Sequence, residues 1–207
     1  GTTSNIQTIH KFATRNVHIY RRTMVYLRMA EALNRAGYPH FAYQILARGV
    51  NNDVISEYVL PYCTTDAEKA YVAQFNFPST SNSGYIVFDI DNMDANYNTI
   101  GIHSRGSGWA CYNQNYQMPN NESLSGDELK QWQMEKVEDM IVDEGALECA
   151  FEGTRYYDLL RVALRRNSPE YLANKIAARN GDNPSGVATD LTQMQNLFMH
   201  WNGKIGY

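Results

Sequence analysis

The chain has 207 residues, is 43% hydrophobic and carries 22 acidic against 18 basic side chains, a formal charge of -4. That length and apolar content support a packed core and exclude a disordered chain, while the acidic balance excludes a basic face and nucleic acid as the main partner. No apolar run reaches the roughly 20 residues needed to span a bilayer, and no basic-then-apolar leader opens the sequence at Gly1-Thr2-Thr3-Ser4-Asn5.

Residues 1 to about 19 alternate weakly around Ile6, Ile9 and Phe12 and predict extended or irregular structure. From Tyr20 the pattern turns helical: Met24 or Val25, Leu27 or Arg28, Met29, Ala32, Leu33 and Ala36 recur at three-to-four spacing. Gly37, with Pro39 two residues on, ends this helix. A second helix is predicted from about Pro39 to Gly49 with Phe41, Ala42, Ile45 and Leu46 inward. The two form a helical hairpin, and the small residues from Ala42 to Ala47 give it a tetratricopeptide-like character.

Residues 51 to 125 predict a long irregular, aromatic-rich insertion. Pro61, Pro78, Pro119, Gly84, Gly101, Gly106 and Gly108 punctuate dense Asn and Ser, with one short helix over Asp66 to Phe75. Such segments inside a compact domain are usually functional or disordered, and the aromatic content opposes disorder. Ser125, three residues before Glu128, has capping-box spacing and opens a long helix to about Phe151, in which Gly145 marks a close contact or a bend. Gly153 separates it from a helix over Arg155–Arg166, and Ser168-Pro169 opens another to about Arg179. Asn180 to Gly186 reads as a loop, and Leu191 to Phe198 as a last short helix.

Fifteen tyrosines and three tryptophans among plentiful Asn suit carbohydrate, whose rings stack on aromatic faces while amides and carboxylates bond to hydroxyls. A single Tyr is nonetheless more often a packing residue. The most site-like stretch is 96–116, where Tyr97, Arg105, Trp109, Tyr112, Asn113 and Tyr116 combine ring faces, a guanidinium fork and an amide among glycines. The competing reading is that Trp109 plugs this loop onto the helices. Asp89, Asp91 and Asp94 resemble a calcium loop. However, Met93 and Asp94 fill the positions where an EF-hand needs Asp or Asn and then Gly, and Ile100 stands where it needs an acid. A solvated acidic turn is expected, with a non-EF oxygen cage for calcium as the weaker alternative and no other cofactor. His10, His18, His40 and His200 lack metal spacing, and no Ser/His/Asp or Cys/His set offers a nucleophile, so no catalysis is expected. Of Cys63, Cys111 and Cys149, the last reads as a small buried hydrophobe, while the first two lie in loop-like sequence and could bridge.

Glu144, Glu148 and Glu152 recur every fourth residue, an acidic helical stripe that needs cations, and Arg155 and Arg161 follow at once with Asp158 between them. Catalytic carboxylates need unlike environments and an open cleft. A buried charge network that fastens helices is the better account. The run Glu152-Gly153-Thr154-Arg155-Tyr156-Tyr157-Asp158-Leu159-Leu160-Arg161 resembles the Glu-Gly-x-Arg-x-x-Asp-Leu-x-Arg signature of the SusD/RagB family, glycan-binding outer-membrane lipoproteins of Bacteroidetes. Arg28 to Gly37 is similar to that family's Arg-x-Ala-Glu-Ala-x-Asn-x-x-Gly helix.

This resemblance implies a mainly α domain of tetratricopeptide-like helix pairs, with 1–207 forming one C-terminal SusD-like domain. The family's N-terminal half and the lipid anchor, the sole membrane attachment, would lie outside it. It implies non-catalytic capture of an oligosaccharide at the bacterial cell surface and delivery to a SusC-like TonB-dependent outer-membrane transporter. It places the motif charges, together with Arg28 and Glu31, in the scaffold. The alternative is a helical-repeat module that binds only protein. On the scaffold reading, Arg155→Ala lowers the melting temperature and leaves the folded fraction able to bind; lost affinity at unchanged melting temperature would contradict it.

Overall fold

The computed structural model describes residues 22–77, 102, 117–150 and 152–179. The described chain is mainly helical, and no strand occurs among these residues. It divides into two compact units, Gly1–Phe151 and Glu152–Tyr207.

In the first unit, α1 (Arg22–Arg35) and α2 (Pro39–Arg48) form the expected hairpin. The turn is a Schellman motif: Tyr38 N–H donates to the Leu33 carbonyl (2.9 Å) and Gly37 N–H to the Asn34 carbonyl (3.0 Å). Gly37 sits at φ 90°, where a β-carbon is strained, so the glycine is what lets the chain reverse here. The short turn returns α2 along α1, and α2 is buried almost all round from Pro39 to Ala47.

Residues 51–77 are more regular than the sequence predicts. Asn51 caps α3 (Asn52–Val54), its side-chain oxygen accepting from Val54 N–H at 2.7 Å. A π-helical turn over Ile55–Val59 and a 3-10 turn over Leu60–Tyr62 continue it. Two effects the sequence reading did not weigh explain the order: a side-chain cap at Asn51, and burial of Val54, Ile55 and Val59 on one face. The segment's end is pinned to its start, since Asn52 N–H donates to the Phe77 carbonyl (3.0 Å) and Phe77 N–H to Asn52 Oδ1 (2.7 Å). Between them α4 (Asp66–Val72) starts on a full capping box from Thr65 and Glu68.

The long helix α5 (Gly126–Glu148) packs on α1 and α2. Ser125 stands at its N-cap as the spacing predicts, but its side chain makes no cap hydrogen bond. A β-carbon at Gly145 would meet Leu27 Cδ1 at 3.9 Å, an ordinary contact, so this glycine is not needed for a close approach. The buried face of α5 mixes Val137, Ile141 and Val142 with Glu138, Glu144 and Glu148. The helix ends at Glu148, with Cys149 N–H reaching back to the Gly145 carbonyl (2.9 Å). Glu152 therefore lies beyond the helix, and the acidic stripe holds two of its three expected members. Phe41, Ile45, Leu46, Val50, Val72 and Val137 form the centre of the core, joined by Ile102 from the expected insertion. Each such side chain contributes roughly 1.5–3 kcal/mol by leaving water.

The second unit holds α6 (Arg155–Arg166) and α7 (Pro169–Arg179), which pack together through Leu159, Val162, Ala163, Leu172 and Ala173. Asn167, left-handed at φ 49°, closes α6 with a second Schellman pair, Ser168 N–H to the Ala163 carbonyl and Asn167 N–H to that of Leu164. Pro169 then opens α7 as predicted.

Buried charge fastens the first unit. Arg35 pairs with Glu31 one turn back on α1 and lies 3.6 Å from Glu138 of α5; the two carboxylate side chains are 6% and 2% exposed. Arg28 meets Glu31 from the other side at 3.2 Å. Beside them Asn34 donates to the Met134 carbonyl at 2.7 Å, a second polar tie from α1 to α5. Removing one partner of a fully buried pair costs about 3–5 kcal/mol, and Arg35 is partly exposed, so Arg35→Met is expected to cost about 2 kcal/mol, read as a lower urea midpoint at unchanged m.

Candidate functional site

Of the residues the sequence singled out for ligand or metal, Tyr97, Arg105, Trp109, Tyr112, Asn113 and Tyr116, and Asp89, Asp91 and Asp94, all lie outside the described residues. Among the described residues no group of three or more His, Cys, Asp or Glu is placed to hold a metal ion. Cys63 is a half-buried thiol and Cys149 a buried one, neither of them in a disulfide, and Cys111 lies outside the described residues. The scaffold charges are partly assembled within each unit: Arg28 with Glu31, and Arg161 Nε donating to Asp158 at 3.2 Å; Glu144 and Glu148 are buried on α5, and Glu152 and Arg155 are half-buried in the second unit.

The first unit contains a cleft of about 440 Å³ that the sequence did not point to. It opens between the start of α2, the turns after α3, the start of α4 and the N-terminal half of α5. Phe41, Val59 and Val72, all almost fully buried, form its base. Tyr38, His40 and Tyr62 also line it, and further rings pack behind Tyr38 and Phe41. Tyr38 stacks on Tyr71 with ring centroids 4.6 Å apart, and Tyr71 and Phe41 both meet Phe75 edge-on, at 5.5 and 5.2 Å. The Tyr62 ring lies on that of His40, centroids 3.9 Å apart and planes inclined by 23°.

Local sequence explains how these rings are held. Pro39 at the first position of α2 follows Tyr38 at its N-cap, which places Tyr38, His40 and Phe41 together at the helix start. His40 Nε2 lies 2.9 Å from the Tyr58 carbonyl, which can only accept, and 3.2 Å from Gln44 Nε2. Burial pushes the imidazole pKa down from its usual 6.5, with the Tyr58 bond opposing, so the ring behind Tyr62 is neutral.

The polar rim centres on Glu68. One carboxylate oxygen accepts from Lys130 Nζ at 2.9 Å; the other accepts from Thr64 N–H at 2.8 Å, Thr64 Oγ at 2.9 Å and Thr65 N–H at 3.3 Å. The Lys130 bond is the chief reason the carboxyl falls from its usual 4.5 to about 2; burial opposes this and the Thr64 bonds add to it. Lys130 also lies 6.0 Å from the Tyr38 ring, so one cation touches both rim and wall. Gln133 Nε2 donates to the Pro119 carbonyl at 2.9 Å, which fixes its amide at the cleft edge. Burial, and then the Glu68 charge, push the Cys63 thiol above its usual range, so it is protonated and a weak nucleophile at neutral pH.

These groups suit binding better than proton transfer: a carboxylate with so low a pKa is a poor base, and the thiol is not activated. Sequence reasoning missed Tyr38, His40, Tyr62, Glu68, Lys130 and Gln133. The Thr65-x-x-Glu68 capping box was legible as a spacing, but Lys130 meets Glu68 from 62 residues away.

Comparison with known proteins returned no matching family model, no matching curated protein and no matching solved structure.

A carboxyl whose pKa is depressed on folding contributes stability that is complete above its unfolded value and lost as pH falls towards the folded one. The Glu68 contribution is therefore present above pH 4.5 and lost between there and about 2. His40, lowered on folding, favours the fold above 6.5 and costs stability as pH falls below that value. Glu68→Gln is expected to lower the melting temperature at pH 6 and to flatten its decline between pH 4.5 and 2.5, leaving the earlier decline below 6.5 in place. A decline of wild-type steepness in the variant would remove Glu68 as its cause.

Proposed function

We propose that the chain belongs to a SusD/RagB-like cell-surface lipoprotein that captures an oligosaccharide without catalysis and delivers it to a TonB-dependent outer-membrane transporter. The observation that carries this reading is the aromatic-walled cleft. The rings of Tyr38, His40, Phe41 and Tyr62 line a space whose volume lies within the roughly 300–1,000 Å³ of small-molecule sites, and its rim offers hydrogen-bonding groups held in place by their own bonds. Aromatic faces beside fixed amide, hydroxyl and carboxylate groups are what a polyhydroxylated ring needs: stacking for its C–H faces and bonds for its hydroxyls.

The sequence motifs support the same reading from another side. Arg28 and Glu31, at the charged positions of the first motif, form an ion pair on a hairpin helix, and Asp158 and Arg161 of the second form another. Charges engaged in holding helices fit a scaffold whose recognition is done elsewhere. In this proposal the transporter and the lipid anchor complete the system.

The test is calorimetric titration of the full-length protein with pooled oligosaccharides, alongside co-purification with a SusC-like TonB-dependent transporter from the same organism. Saturable glycan binding together with a stable transporter complex is the expected outcome. A stable complex with no glycan bound from any pool would replace this reading with the helical-repeat module that binds only protein.

A further inference from the structure

We infer that the cleft in the first unit selects an uncharged or amino sugar ring laid on Tyr62 and discriminates against uronic acids; this rests on the oligosaccharide-binding reading above. Tyr62 is the platform. Tyr62 lines the cleft with one face stacked on His40, and the residue is nevertheless 61% exposed, which leaves its opposite face accessible to a ligand. His40 is itself anchored on the Tyr58 carbonyl, which holds the platform's plane before any ligand arrives. A preorganised ring of this kind loses little rotamer freedom on binding.

The charge class follows from what surrounds the platform. Lys130 is the single Lys or Arg among the described residues lining the cleft, and its ammonium is committed to Glu68 at 2.9 Å. Asp127 lines the same space, so the charged lining groups, Glu68, Asp127 and Lys130, leave an excess of one negative charge. The imidazole behind Tyr62 supplies no positive charge because burial keeps it neutral. Among the described lining residues, a ligand carboxylate entering here would lose water and find no cation that is not already paired with a carboxylate, and like charges disfavour it. A neutral ring meets no such obstacle: beyond its Pro119 bond Gln133 keeps its amide oxygen and one N–H, and Thr64 Oγ, which donates to Glu68, keeps its lone pairs for a ligand hydroxyl. An amino sugar would find the excess negative charge favourable.

The experiment titrates the full-length protein and three variants with two oligosaccharide pools of matched length, one neutral and one rich in uronic acid, at one ionic strength. Wild type is expected to bind the neutral pool and to take up the acidic pool at least about tenfold more weakly. Tyr62→Ala, at a surface position and with an unchanged melting profile, is expected to weaken neutral binding about fivefold to tenfold. Tyr62→Phe keeps the face and is expected to keep the affinity. Glu68→Gln removes the negative partner, releases Lys130 and is expected to raise binding of the acidic pool. Neutral binding untouched by Tyr62→Ala would overturn the assignment to this cleft while leaving oligosaccharide capture standing. Acidic glycans binding the wild type as tightly as neutral ones, with loss in Tyr62→Ala, would overturn the charge class alone. Equal loss in Tyr62→Phe and Tyr62→Ala would overturn the stacking geometry. Failure of both pools to bind wild type would instead refute the underlying reading, and this inference with it.

Discussion

Glu31 and Glu138 bring two carboxylates into the interior where α1 meets α5, and Arg35 is the cation that reaches both. Taking ionised carboxylates out of water costs several kcal/mol each unless a partner is supplied in good geometry. The helices are therefore not free to slide: a shift of one turn, about 5.4 Å, would leave the guanidinium facing apolar side chains. Asn34, bonded to the Met134 carbonyl, reinforces the same register. The hydrophobic contacts of Phe41, Ile45, Leu46 and Val137 supply most of the stability, but they are non-directional. The charge cluster supplies direction.

The cleft depends on that register. Its rim is made where α5 delivers Lys130 and Gln133 to groups carried by the hairpin turn and by α4. Lys130 lies about two turns before Glu138 on the same helix, so the ion pair that fastens α5 to α1 also sets where Lys130 meets Glu68. Glu68 in turn serves as the N3 residue of α4's capping box, as the acceptor for Thr64 and as the partner of Lys130. One carboxylate thus starts a helix and organises the polar edge of the cleft, which is why its protonation would disturb both.

Several elements were legible in the sequence for local reasons. The hairpin was readable because Gly37 and Pro39 act within a few residues of the helix they end or begin, and the same holds for Pro169. The regularity of 52–62 was not. Asn51 works as a cap only because Val54, Ile55 and Val59 find a core to enter, and that core is made by distant residues. Nor could the sequence place the end of α5, where periodic glutamates ran on to Glu152 although the helix stops at Glu148. Periodicity records what a helix could bury; it does not record where the chain must turn.

The sequence by itself determined the helical class and the hairpin with its turn, because these act over one or two helical turns; it marked Arg28, Glu31, Asp158 and Arg161 as structural charges but not which of them pair. The tertiary structure alone decided that Arg35 serves two helices, that Tyr62 lies on His40, and that Lys130 closes on Glu68. Those contacts join residues from 22 to 103 positions apart, and no local propensity encodes them. They arise only once the apolar faces of α1, α2 and α5 have been buried together and the polar groups carried with them must find partners out of water.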